Sequence, residues 1–191
     1  VRDLRGLRRT LTAAALAALV LGGCSEKQEA NDTLPTAAPE TTESLPPVGP
    51  AEFPVPDEAR TKDAAGAEAF LKYWIDLINR QRSIPDGAPL RDLGPECQNC
   101  QRIAQNYDEA AAAGTRYQGG AVSIDDAAKP TLADSEVTIS FLASQAAVQR
   151  LDSSGAPIDA GQPSATGLSS GISLRWSDNE RSWLVESFDL G

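Results

Sequence analysis

The 191-residue chain carries 27 acidic against 17 basic side chains, a formal net charge of −10, three cysteines and no histidine. So acidic a chain repels a phosphate backbone, which excludes nucleic acid as a partner. Without histidine, the Ser-His-Asp and Cys-His nucleophiles, a histidine general base and the common zinc-hydrolase motifs are all excluded.

Residues 1–23 read as an export signal. Arg2, Arg5, Arg8 and Arg9 face only Asp3, and an apolar run follows from Leu11 to Leu21. A spanning helix needs about 20 apolar residues, and here Gly22 and Gly23 end the run before the polar stretch from Ser25 to Asp32. The run has no polar face, which sets it apart from a surface helix of a soluble core. Val1 reads as an alternative initiator codon.

The segment Leu21-Gly22-Gly23-Cys24 resembles the lipobox of bacterial lipoproteins, with Gly22 where alanine, serine or threonine is commoner. That resemblance implies cleavage before Cys24, whose thiol takes a diacylglyceryl group and becomes residue one of the mature chain. Two acyl chains, palmitate among them, anchor stably where one binds only marginally. The implied location is extracytoplasmic, lipid-anchored to the cell membrane. Arg8-Arg9 also reads as a twin-arginine signal, but Thr10-Leu11-Thr12 continues that motif poorly and favours the general secretory route.

Loss of residues 1–23 leaves 13 basic and 26 acidic side chains, a net charge of −13. Residues 24–60 then read as a lipidated, disordered tether. Seven of the thirteen prolines lie here (Pro35, Pro39, Pro46, Pro47, Pro50, Pro54 and Pro56), and Phe53 is the only aromatic. Such a segment cannot bury enough apolar area to offset its ordering entropy. At about 3.1 Å per residue it reaches at most about 110 Å. Thr33, Thr36, Thr41, Thr42 and Ser44 stand among the prolines as acceptors for O-glycosylation, with a bare solvated linker as the alternative. Phe53-Pro54-Val55-Pro56 is expected to pack on the domain as an edge segment.

Residues 61–191 form the folded domain. Ala67, Phe70, Leu71, Trp74, Leu77 and Ile78 recur at helical spacing between Asp63 and Arg82, with Asp63 as N-cap and Pro85-Asp86-Gly87 as the stop. A second helix is predicted from about Pro95 to Ala113, with Ile103, Tyr107, Ala110 and Ala111 on one side and Gly114 as the C-cap glycine. The period then becomes two. Tyr117 to Asp125 reads as a strand with a bend or bulge at Gly119-Gly120, and Val137, Ile139 and Phe141 alternate along a strand that continues with interruptions to Leu151. A turn-rich stretch from Asp152 to Thr166 precedes a hairpin in which Trp176 and Trp183 pair across the turn Asp178 to Arg181. The expected fold is α+β, two N-terminal helices on a curved antiparallel sheet of about four strands.

This order of elements resembles the cone-shaped fold of nuclear transport factor 2-like proteins, also called cystatin-like. Within it, AFLKYWIDLINR, LRDLGPECQNCQRIAQNY and the final SWLVESF are similar to a family of uncharacterised actinobacterial lipoproteins over roughly Phe53 to Phe188. The resemblance implies a cone domain and brings no established activity with it.

Cys97 and Cys100, three apart near a helix start in an exported chain, read as a local disulfide, with lipidated Cys24 accounting for the odd count. The alternative is a thiol-disulfide oxidoreductase activated at the helix N-terminus, although what precedes the pair is helix and loop instead of a strand. Zinc wants four ligands, and two cysteines without histidine do not supply them, so no metal or cofactor is expected. Asp125-Asp126 and Asp178-Asn179-Glu180 read as turns, without the ligand series of a calcium loop. Cone-fold isomerases set an aspartate base and a tyrosine donor in an apolar mouth. Asp108, Tyr73, Tyr107 and Tyr117 have those residue types, but no motif assigns them catalytic roles. Two functions follow: a noncatalytic envelope lipoprotein that binds a small apolar ligand or an envelope protein, or a cone-fold isomerase or dehydratase.

Overall fold

One helix organises the domain. In the computed structural model, which describes residues 45–191, α1 (Ala64–Ser83) is twenty residues long and buries Ala67, Phe70, Leu71, Trp74, Leu77 and Ile78 along one face. Its start is set by Asp63, whose Oδ1 accepts a hydrogen bond from the Gly66 amide at 2.7 Å. That bond satisfies one of the amides a helix start leaves unpaired. The export signal, Cys24 and the tether up to residue 44 lie outside the described residues.

The proline-rich stretch does not stay apart from the core over its described part. Val48, Val55 and Ala59 are buried, and a 3-10 turn covers Asp57–Ala59. Phe53 stacks on Tyr73 with ring centroids 5.2 Å apart, and the Tyr73 hydroxyl donates to the Phe53 carbonyl at 2.9 Å. Arg60, itself buried, donates to the carbonyls of Pro46, Glu180 and Arg181 at 2.7, 2.7 and 3.1 Å. The expected edge segment therefore packs on α1 through single apolar side chains and joins no sheet. Pro54 and Pro56 lack the amides that a ladder requires.

Three helices precede the strands, one more than the periodicity predicts. The extra one, α2 (Ala88–Leu93), has six residues, too few to repeat an apolar pattern, yet it buries Pro89, Leu90 and Leu93. α3 (Gln98–Ala112) starts later than Pro95, at the N-cap Cys97, and Gly114 follows its end at φ +63° with its amide on the Ala111 carbonyl at 3.0 Å.

The strand predicted across Tyr117 to Asp125 is two strands. β1 (Arg116–Gly119) and β2 (Val122–Ala127) part at Gly119 and Gly120, with φ of +75° and +77°. A side chain at Gly119 would place Cβ 2.2 Å from the Ala147 carbonyl oxygen, so this close crossing requires glycine. Asp125 sits at a bulge within β2 where a turn was expected, because the strand continues past it against its partner.

The main sheet is antiparallel, in the order β2–β4–β6–β7. Its strands after β2 are β4 (Glu136–Gln145), β6 (Ala165–Ser177) and β7 (Ser182–Leu190), and the short β3 (Thr131–Ala133) is added on β4. The interrupted continuation toward Leu151 is a separate strand, β5 (Val148–Leu151), which pairs with β1 in a small second sheet. Further register shifts at Ala143/Gln145 and Ser173/Leu174 curve the main sheet. Val137, Ile139, Phe141 and Ala143 of β4 join Ile172, Leu174, Trp183, Val185 and Phe188 in one apolar cluster with α1. Trp176 and Trp183 are direct cross-strand partners, edge to face at 5.2 Å. The fold is α+β, helices first and antiparallel sheets after them. Among the described residues, no helix is long and apolar enough to cross a membrane.

Candidate binding cleft

A cleft opens where the small β1–β5 sheet, α3 and the last turns of α1 fail to close on one another. It has a volume of about 1030 Å³. α1 contributes Ile78 and Arg82, four residues apart and therefore on one face. α3 contributes Arg102, Ile103, Tyr107 and Glu109, and the small sheet contributes Tyr117, Val148 and Arg150. The Asn79 side chain holds the start of β2 beside α1, donating to the Val122 carbonyl and accepting from its amide, both at 2.8 Å.

The cleft has an aromatic floor. Tyr107 and Tyr117 meet edge to face at 5.9 Å, and their hydroxyls donate to the carbonyls of Ile78 and Asn106 at 3.4 and 3.5 Å. Burial pushes the Tyr107 phenol above its usual range, with the neighbouring Arg82 charge acting in the opposite direction. Tyr107 is thus a neutral group at physiological pH.

Its charged groups are of two kinds. Arg150 is committed to Asp159, with Nε and Nη2 each 2.7 Å from Oδ2, and this contact together with the Gly161 amide holds the Asp159 carboxyl below the usual carboxylate range. Glu109 is exposed and accepts from Gln105. Arg82 is different, since its Nη1 is buried without a hydrogen-bond partner among the described residues.

The residue types of a cone-fold isomerase are not brought together here. Asp108 follows Tyr107 in α3 but points elsewhere, accepting from the Gly87 amide at 2.9 Å and from the Arg91 guanidinium. Tyr73 lies under Phe53, and burial raises its phenol. Among the described residues no carboxylate is fully buried, and no cluster of three His, Cys, Asp or Glu side chains could hold a metal ion. Cys97 and Cys100 are joined by a disulfide, and both are buried, with the Cys97 sulfur accepting from the Cys100 amide at 3.1 Å. The bond ties the loop after Pro95 to the first turn of α3 and presents no exposed sulfur for exchange. Lipidation at Cys24 lies outside the described residues.

Arg82 was the legible signal that periodicity passed over. It continues the series Trp74, Ile78, Arg82 on the apolar face of α1, where a charge is out of place. The β5 side of the cleft had no comparable signal, because only the pairing with β1 brings Val148 and Arg150 there.

A family model described as "Family of unknown function (DUF6318)" matches residues 48–189. Among solved structures, the chain is similar to the intermembrane space region of the chloroplast protein ARC6, at 16% identity and a TM-score of 0.43, over 68% of this chain and 97% of that one. No curated protein matches the chain.

Proposed function

The chain belongs to DUF6318, a family of unknown function, and within it we propose an extracytoplasmic, lipid-anchored binding module with no catalytic role. Cys24 carries the diacylglyceryl anchor, the polar residues between it and residue 45 hold the domain away from the lipid, and the cone-like domain takes a small ligand. The observation that carries this function is the cleft itself, which sets an aromatic and aliphatic patch beside polar and charged side chains. Asp159 in the cleft is paired with Arg150 and held below its normal range, and Asp108 is tied to Gly87 and Arg91. Thiol exchange is disfavoured by burial of both sulfurs.

Two measurements test the two parts. Mass spectrometry of the membrane fraction is expected to find a mature chain beginning at acylated Cys24, released to the soluble fraction by Cys24→Ala. A secreted wild-type form beginning elsewhere overturns the anchor. Native mass spectrometry of the protein from its own envelope is expected to find a small-molecule adduct, lost in Val148→Trp, which places an indole over the apolar part of the cleft. An adduct unchanged by that substitution, or none at all, overturns binding there.

A further inference from the structure

We infer that the cleft selects an amphiphile with a single anionic head, a carboxylate or a phosphate ester, and that Arg82 is the residue that receives the head. The inference rests on the binding function proposed above and adds the ligand's chemistry to it.

A guanidinium is always charged and carries five N–H donors in a fixed fork that matches carboxylate and phosphate oxygens two at a time. Burying any of those donors without an acceptor is unfavourable, so buried polar groups are almost always paired. Arg82 departs from that pattern. It is partly buried, its guanidinium reaches the neutral Tyr107 hydroxyl, no carboxylate pairs with it, and its Nη1 is fully covered with no hydrogen-bond partner among the described residues. The chain is rich in carboxylates, yet the two that border the cleft are engaged elsewhere, Asp159 with Arg150 and Glu109 with Gln105. The cover over Arg82 is tight on one side: a Cβ at Gly120 would come 3.3 Å from Nη1 and 2.9 Å from the Val148 side chain. Arg82 lines the cleft, so an acceptor for Nη1 is expected from there, reached when the flexible side chain swings off its Gly120 and Val148 cover.

The lining supplies the other half of the ligand's description. Ile78, Ile103, Tyr107, Tyr117 and Val148 offer aliphatic and aromatic surface next to Arg82. A small inorganic anion would leave that surface wet, and a neutral hydrocarbon would leave the guanidinium unpaired. An apolar body ending in one anionic group satisfies both.

The test titrates the full chain with octanoate, octyl phosphate and 1-octanol, each below its aggregation or solubility limit, reading the amide chemical shifts of the residues around the cleft. The expected result is that at least one of the two anions binds about tenfold or more tighter than 1-octanol. Arg82→Gln is expected to reduce the anions to the level of 1-octanol, and Arg82→Lys to keep part of the preference. Tighter binding of octanoate identifies a free acid as the natural head, and tighter binding of octyl phosphate a phosphorylated one. Equal binding of all three by the wild type overturns the anion inference and leaves a cleft for neutral ligands. A folded Arg82→Gln chain that keeps the full preference overturns the role of Arg82. No shift with any of the three overturns both the inference and the binding function beneath it. Should Arg82→Gln not fold, the wild-type ratio and Arg82→Lys decide.

Discussion

The two ends of α1 meet different surroundings. Around Phe70, Trp74 and Leu77 the helix is enclosed by the curved sheet, and Trp183 is fully buried there with its indole nitrogen donating to the Thr61 carbonyl at 3.0 Å. Around Ile78 and Arg82 the helix meets the start of β2, the end of β7 and the small β1–β5 sheet, and an open cleft lies among them. The same amphipathic face thus serves as core at one end and as a site wall at the other. The contrast teaches that an apolar helix face can run continuous in sequence and still divide in use, according to which strands reach it.

The division predicts graded effects of substitution. Trp183→Ala at the enclosed end is expected to lose about 3–5 kcal/mol, the range for removing a large buried aromatic, read from urea unfolding. A loss under 1 kcal/mol would erase the distinction between the two ends. Replacing both Cys97 and Cys100 with alanine is expected to lose about 2 kcal/mol, because the bond closes a loop between residues only three apart. The same measurement reads it, and an unchanged midpoint would mean the bond does not constrain the start of α3.

Acid sharpens the comparison from the helix start. The Asp63 carboxyl is held below its ordinary value of 3.8, first by the Gly66 amide and then by the Thr61 hydroxyl. A lowered carboxylate stabilises the fold fully above that ordinary value, and the contribution is lost as pH falls through the lower folded value. Asp152 and Asp159 add to the same limb, through Ser154 and Arg150 respectively. Asp63→Asn keeps a capping side chain without the titration, so its stability should fall less steeply than wild type below about pH 4. Superimposable acid limbs in thermal unfolding would remove Asp63 from the account. The smallest effect is expected at the open end. Arg82→Gln should change stability by no more than about 1 kcal/mol, since Nη1 has no partner to lose and only the contact with the Tyr107 hydroxyl is weakened. A large loss there would make Arg82 a structural residue.

Much of the fold was legible because its signals are local. Asp63 as cap, the apolar face of α1, Gly114 after α3, the alternation of Val137, Ile139 and Phe141, and the Trp176–Trp183 pair each depend on neighbours within a turn or across a tight hairpin. α2 and β3 escaped because six and three residues cannot display a period. Val48 and Ala59 look like tether in the sequence, since composition counts prolines and cannot show that the core offers them a surface, whereas Phe53 and Val55 pack on the domain as expected. The cleft was the least legible part, for it joins side chains from Ile78 to Leu190 through pairings far apart in sequence.

What the sequence by itself determined about this protein is its class and its expected address: an acidic α+β chain without histidine chemistry, headed by a lipobox-like segment and a proline-rich stretch. Those properties are sums and short patterns, so no folding is needed to read them. Only the tertiary structure decided that Gly119-Gly120 would send β1 and β2 to different sheets, that β5 would pair with β1, and that Arg82 would stand at an open cleft with Nη1 unpartnered among the described residues. Each of those depends on which distant backbones meet, and that is settled by packing of the whole chain.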